Sequence, residues 1–326
     1  MIHKILVVCL SVIVLQSCNQ GKSSNYKILP ESSGKLNNLT VVVDNDLWTG
    51  SLGETLREVL AAPVHGLPQD EPLFILSQIP PSVFSGFAQQ SRIVLKVEKS
   101  DSTQLKIAKN VFARPQRVVL VAAPTEEALV AQIKSNAQNI VSTLKAEEIK
   151  EQQRRIQIAL HKNNTIKEKL GISIKFPSVY RIATETDNFY WIRKDITTGT
   201  TNILLYELPY GRIKDSDSVV RDIIKVRDSI GKKHIPGPLD GSFMITEDAY
   251  TPFLAKTTID DKFAIETKGI WDVKNAFMSG PFVNYVIDDK ANNRLLVVEG
   301  FAFAPSVGKR DYMFELEAII KSISFN

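Results

Sequence analysis

Apolar residues are spaced along this chain in two alternating ways, short β-branched runs and stretches with three-or-four periodicity, which predict strands and helices in turn. Leu39 to Val43 reads as a buried strand. Ser51, with Glu54 three residues on, has the form of a capping box, and Leu52, Thr55, Leu56, Val59 and Leu60 then share one helical face until Pro63 stops it. A Pro/Gly-punctuated loop around His65, Gly66, Pro68 and Pro72 leads to an apolar run from Leu73 to Ile79, then to strands at Arg92 to Glu98 and Arg117 to Ala122. Thr125 can cap the long helix that follows, with Glu126 and Glu127 facing the positive end of its dipole. Leu129, Ile133, Ala137, Ile140 and Leu144 keep that helix on a sheet. From Lys145 to Arg155 apolar content falls to Ala146 and Ile149, so this stretch is expected to leave the core as a solvated face, with Glu151 and Arg155 pairing at i,i+4.

Helical spacing ends near Leu170-Gly171, and strand patterning takes over. Ile172 to Phe176, Val179 to Ala183, Phe189 to Lys194 and Asn202 to Glu207 read as strands, with a hairpin turn at Thr198-Gly199. Ser216 to Ile230 reads as a helix stopped by Gly231. Strands return at Phe263 to Trp271, Asn284 to Asp288 and Leu295 to Phe303, and a helix from about Ser306 to Ser322 closes the chain. Strands joined mostly as hairpins, with helices laid against them, predict an α+β protein of two domains, 36–170 and 171–326, each with a mixed or mostly antiparallel sheet and flanking helices. The order of elements after Leu170 resembles the PsbP-like α/β sandwich, a likeness of fold that confers no function.

The amino terminus follows a different rule. His3 and Lys4 precede eleven residues, Ile5 to Leu15, in which only Ser11 is polar. That is the layout of an export signal, and it falls short of the roughly 20 residues a spanning helix needs. Leu15-Gln16-Ser17-Cys18 resembles the lipobox of bacterial lipoproteins, which implies cleavage after residue 17 and acylation of Cys18. One acyl chain holds a protein only marginally, and several on one residue hold it firmly. Residues 18–35, rich in Ser, Asn, Gly and Lys, have the composition of a flexible tether. Of the two cysteines, Cys9 leaves with the signal and Cys18 is acylated, so the expected mature chain has no disulfide.

Composition adds exclusions. Across 326 residues, 40 basic groups oppose 36 acidic ones, and 39 oppose 36 once Lys4 is removed, which is no nucleic-acid footprint. Hydrophobic residues at 44% and charged ones at 23% describe a folded body rather than a disordered one.

The Leu-Gln-Ser-Cys site, the two-half spacing, Phe189-Tyr190-Trp191-Ile192-Arg193-Lys194, and Val298-Glu299-Gly300-Phe301-Ala302-Phe303-Ala304-Pro305 followed by Lys309-Arg310-Asp311-Tyr312 together resemble a Bacteroidota lipoprotein family, domain of unknown function 4837. The resemblance spans the whole mature chain and implies a lineage and an envelope address, with no catalytic residues to carry over. Asn19 departs from the aspartate that resembles an inner-membrane retention signal, and no acidic cluster resembling a surface-export signal follows. A periplasm-facing outer-membrane position is the expectation.

Candidate chemistry is sparse. His65 near Asp70 and Glu71 lacks metal-site spacing, and His161 and His234 read as ordinary surface positions. No GxSxG elbow occurs, and Ser85-Gly86 and Ser279-Gly280 read as turns, as do the pairs Asp260-Asp261 and Asp288-Asp289. Phosphate-binding glycine motifs are missing. Asp44, Asp46 and Trp48, at the end of the first strand, form the most plausible ligand-binding corner, against the plainer reading of a capped turn. Trp191 and Trp271 read as packing or as recognition, and Tyr206 and Tyr210 as a possible interaction surface.

No catalytic or metal-ligating residue and no cofactor beyond the lipid on Cys18 is therefore expected. The leading expectation is a lipid-anchored envelope protein that binds a protein partner or aids envelope assembly, with the membrane and an envelope protein as its partners. The alternatives are a periplasmic small-ligand binder and a carboxylate-dependent hydrolase of envelope polymers.

Overall fold

The computed structural model describes residues 28–162 and 164–325, so Cys18 and the apolar leader lie outside the described residues. In chain order the first half contains strand β1 (Asn38–Val42), helices α1 (Asn45–Thr49) and α2 (Ser51–Leu60), strands β2 (Ile75–Ile79), β3 (Ile93–Lys99), β4 (Gln104–Lys109) and β5 (Arg117–Ala123), and helices α3 (Glu126–Ser135) and α4 (Ala137–Ile158). Its sheet has the order β2-β1-β3-β5-β4, with the first four strands parallel and β4 antiparallel at one edge. The alternation along β1 explains the layers. Leu39, Val41 and Val43 join Leu52, Leu56, Leu129, Ile133, Ile140 and Leu144 under the helices. Val42 points the other way, to Val94, Val118 and Phe84, beneath two short 3-10 turns at Pro81–Val83 and Gly86–Gln90. Strands covered on both faces read as continuous apolar runs, as β1, β3 and β5 do.

The second half contains α5 (Thr165–Leu170), β6 (Ile172–Ser173), β7 (Arg181–Glu185), β8 (Phe189–Ile196), β9 (Gly199–Pro209), α6 (Val219–His234), β10 (Met244–Thr246), β11 (Phe253–Ile259), β12 (Lys262–Val273), β13 (Ala276–Asp289), β14 (Arg294–Phe303), α7 (Arg310–Ile320) and β15 (Ser324–Phe325). Eight of these strands form an antiparallel sheet of order β10-β12-β13-β14-β9-β8-β7, with β11 also on β12, and β6 pairs separately with β15. One face buries Tyr190, Ile203, Tyr285 and Val298 beneath Met313, Leu316, Ile319 and Ile320 of α7. The other buries Leu204, Tyr206, Phe282 and Val297 beneath Val219, Ile223 and Val226 of α6. The molecule is thus α+β, with a mixed sheet in one half and an antiparallel sheet flanked by helices in the other. Among the described residues no helix is long and apolar enough to cross a membrane.

Several expectations are corrected. The charged stretch of α4 does not leave the core: Glu147, Glu148, Glu151 and Gln152 are buried, because Arg92 and Arg117 come to meet them from the starts of β3 and β5. The Glu151–Arg155 pair is present at 2.7 Å. The helix expected to run unbroken from Thr125 divides at Asn136, although Thr125 caps it as anticipated by accepting from the Ala128 amide. Part of the expected tether is held against the first half, where Glu31 bridges to Arg114 and Ser33 to Ser91 just ahead of β5 and β3. Strands β4 and β11 were missed. Ser279-Gly280 is strand, not turn, and Asp289, read as a turn residue, ends β13 as a buried ion-pair node with Arg294 and Lys262. Burial acts to raise its carboxyl, but Asn292, Arg294 and Lys262 outweigh that and hold it below the usual range.

Candidate functional site

On the α6 side of the large sheet lies an open cleft of about 460 Å³. Strand alternation puts Trp191, Arg193 and Asp195 of β8 on this face, and register sets Asn202 beside Arg193 and Phe301, and Thr200 beside Asp195 and Phe303. Trp271 forms the floor, 5.7 Å from Phe301 and 6.2 Å from Phe303 between ring centroids, and its indole N–H donates to the Ala302 carbonyl at 3.2 Å. Gly280 is what allows this ring to lie across the sheet: a Cβ there would stand 3.0 Å from the indole nitrogen and 2.1 Å from the Ala302 oxygen.

The opposite wall is Ile235 to Pro238, directly after α6, with Met244. A buried ion pair fixes this wall. Arg227 of α6 donates to both oxygens of Glu299 at 2.9 Å, to the Thr246 hydroxyl at 2.9 Å, and lies 3.8 Å over the Phe282 ring. The Asn284 amide donates to Glu299 at 3.0 Å, so the buried carboxylate is surrounded by donors. Polar groups on the cleft engage one another: Trp191 donates to Asn202 at 3.0 Å, Asn202 to Thr200 at 3.0 Å, and Arg193 to Asp195 at 3.3 Å. Beside lining residues Pro238 and Met278 in sequence, Leu239 and Phe277 are exposed, Phe277 completely.

A second, much tighter cavity of about 40 Å³ lies between the two halves. Its walls are Leu73, Phe74, Val283, Met313 and Phe314, and Lys145, Lys268, Arg310 and Glu317 bring charge to it. Burial acts to raise the Glu317 carboxyl, yet the Lys145, Lys268 and Lys321 ammonium groups prevail and hold it well below the usual carboxylate range. Burial pushes the Lys145 amine down.

The residues singled out from sequence are scattered. Asp44 and Asp46 are exposed, and Trp48, half-buried, carries the Arg57 guanidinium 4.9 Å from its ring centre. The positive end of α2 next to that corner is occupied by the chain itself: Glu126 accepts from the Ser51 hydroxyl at 2.7 Å and the Leu52 amide at 3.2 Å, which holds its carboxyl below the usual range. Tyr210 is exposed, but Tyr206 is a core residue at 2% exposure, where burial and then the Glu299 charge push its hydroxyl strongly up. It has no surface to offer a partner.

His65 stacks on Phe253 at 4.2 Å, and Glu71 instead caps α7, accepting from the Lys309 amide at 2.6 Å and the Arg310 amide at 3.1 Å. His161 tilts against Phe176, and His234 stacks on Phe189 at 3.9 Å, where burial and then Lys233 push its imidazole down. Among the described residues no group of three or more His, Cys, Asp or Glu is placed to hold a metal. Sequence reasoning reached Trp191 and Trp271 but missed Arg193, Asn202 and Phe303. Alternation within Phe189 to Asp195, which puts every second residue on one face, was a signal for Arg193; Asn202 and Phe303 lie on other strands, and only the pairing register brings them to the same cleft.

Two large sheets, one mixed and one antiparallel with helices on both faces and an aromatic cleft under one of them, define an α+β protein. The chain belongs to the family described as domain of unknown function DUF4837, whose model matches residues 159–322. Residues 32–157 match a second model, domain of unknown function DUF8532. No curated protein matches. Among solved structures, the chain is similar to LpqN, described as involved in cell envelope biogenesis of Mycobacterium tuberculosis, with 14% identity over 47% of this chain and 83% of that one, at a TM-score of 0.29. It is also similar to a point mutant of protein Mog1, with 7% identity over 48% of this chain and 90% of that one, at a TM-score of 0.31.

Proposed function

We propose that the protein is an envelope lipoprotein, held at the periplasmic face of the outer membrane by lipid on Cys18, whose large sheet binds a protein partner without performing chemistry. The observation that carries this reading is the cleft. Its floor and walls are aromatic and aliphatic, its polar groups are engaged with one another, and exposed Leu239 and Phe277 sit next to its lining residues. Large apolar side chains grouped at a concave surface are the usual anchor points for a partner. The occupant we assign is a segment of an envelope protein that presents an apolar or aromatic side chain between Trp191 and Pro236. The size of the cleft also falls in the range of small-molecule pockets, which favours the small-ligand reading second. Asp195 is the one carboxylate lining it, so a pair of acids for hydrolysis has no support there.

The test places a photo-reactive phenylalanine analogue at position 191, and separately at 210, in otherwise native protein in cells. Position 191 is expected to give an adduct with one defined envelope protein that position 210 does not give and that Phe303→Asp abolishes. Equal labelling at both positions would sink the cleft as the docking surface. In the same cells, Cys18→Ala is expected to lose lipid labelling and leave the membrane fraction.

A further inference from the structure

The cavity between the halves carries charge that its own residues do not balance. Three cations line it, Lys145 of α4, Lys268 of β12 and Arg310 of α7, the last already paired with Asp311 at 2.9 Å, against the single lining carboxylate of Glu317. The amines of Lys145 and Lys268 lie 2.8 and 3.7 Å from the same Glu317 oxygen, so neither is farther from the other than those two distances combined. Lys321 takes the second Glu317 oxygen at 2.7 Å. Outside the lining, Glu266 pairs with Lys268 at 3.3 Å and accepts from the Tyr285 hydroxyl. An ammonium has three donors, and Lys145 uses one, toward Glu317. Two largely buried ammonium groups therefore share one oxygen and repel each other, and both line the cavity with donors to spare.

We propose that this cavity is a binding site for a small monocarboxylate of acetate to butyrate size. The carboxylate takes the free donors of Lys145 and Lys268 and relieves their repulsion, while its alkyl end lies against Leu73, Phe74 and Met313. Size and lining select this class. A volume of about 40 Å³ admits about three water-sized atoms at 10–15 Å³ each, which is the carboxylate head of such an acid, and its short alkyl end then runs along Leu73, Phe74 and Met313. A phosphate brings more oxygens and more charge than these donors meet. Chloride satisfies the amines but leaves the apolar wall unused. The site is separate from the aromatic cleft, and neither reading depends on the other.

Calorimetric titration of the full chain with acetate and butyrate tests it, with butylamine, chloride and phosphate as comparison probes. We expect saturable one-to-one binding of the two acids and none of the amine, weakened at least about ten-fold by Lys145→Met and by Leu73→Trp. The second variant fills the cavity and leaves every charge in place, so the test survives if the first fails to fold. Nitrogen-15 NMR of the lysine ammonium groups should show Lys145 shifting with acetate, which a purely structural lysine would not do. Lack of saturation, or binding unchanged in both variants, would mean the cavity holds water only and overturns the proposal. Chloride or phosphate binding as tightly as the acids overturns the carboxylate assignment.

Discussion

Glu148 is completely buried and accepts three hydrogen bonds, from Arg92 Nε at 2.7 Å, Arg92 Nη2 at 3.1 Å and the Asn37 amide at 2.5 Å. Removing one member of such a pair leaves a desolvated charge behind, whereas replacing both with apolar side chains removes the problem along with the bond. Glu148→Ala is therefore expected to destabilise the protein by about 3–5 kcal/mol in urea unfolding, and an Arg92→Met, Glu148→Leu double variant by much less. A double variant as unstable as the single one would contradict this account. None of this was legible in the sequence. Charges from Lys145 to Arg155 look like a solvated face, and their partners lie 56 residues earlier at Arg92 and 30 earlier at Arg117. Tyr206 failed for a related reason: it lies within β9, where α6 covers it, whereas Tyr210 follows the end of the strand in a turn and is exposed, and local pattern marks neither difference.

Helix α6 depends on Gly231. Alanine is the better helix former by about 1 kcal/mol, which alone predicts that Gly231→Ala stabilises. A Cβ there would meet the Met244 carbonyl oxygen at 2.1 Å, a backbone atom of β10. Overpacking costs about 1–3 kcal/mol and wins. Gly231→Ala is expected to lower the urea midpoint and to alter the fluorescence of Trp271, because β10 and the end of α6 both wall the cleft; a raised midpoint would contradict the close packing. At this scale much of the fold was readable. The Thr125 cap, the apolar stripes of α2 and α6 and the β8–β9 hairpin all follow from local pattern, which the packed molecule reinforces. Strands β4 and β11 escaped because each lies at a sheet edge and exposes many of its positions, four of six in β4 and three of seven in β11, including Lys106, Lys109 and Lys256. Lysines on an exposed edge discourage further strand pairing and erase the apolar signal at once.

The halves are joined by side chains that come from opposite ends of the chain. Glu71 caps α7, Gln153 donates to the Ala318 carbonyl at 3.0 Å, Ile149 packs with Phe314 and Ala318, and Lys145 meets Glu317 across 172 residues. Glu317 makes this junction acid-sensitive. Its folded-state pKa is depressed, so its contribution is fully present above the unfolded value near 4.5 and is lost as pH falls through the lower folded value. Glu317→Gln is expected to be less stable than the parent by about 3 kcal/mol at neutral pH, with a difference that shrinks on acidification below about pH 4.5. Chemical denaturation across that range checks it, and a gap independent of pH would show that the lysines do not hold this carboxyl ionised. Two halves could be inferred from the change in patterning, since periodicity is local. How they meet could not, because complementary charges so far apart leave no mark on either segment.

The bridges of Glu31 to Arg114 and Ser33 to Ser91 tie the start of the described chain to the first half. With lipid on Cys18, as proposed, thirteen residue steps separate the anchor from Glu31, and covalent geometry limits that leash to about 45 Å. On the proposed reading, a partner's binding segment would have to come within one leash and one protein diameter of the bilayer, which restricts candidates to membrane-embedded or membrane-hugging proteins. Lengthening the leash by inserted Gly-Ser repeats would widen that shell of reachable neighbours without touching the body itself.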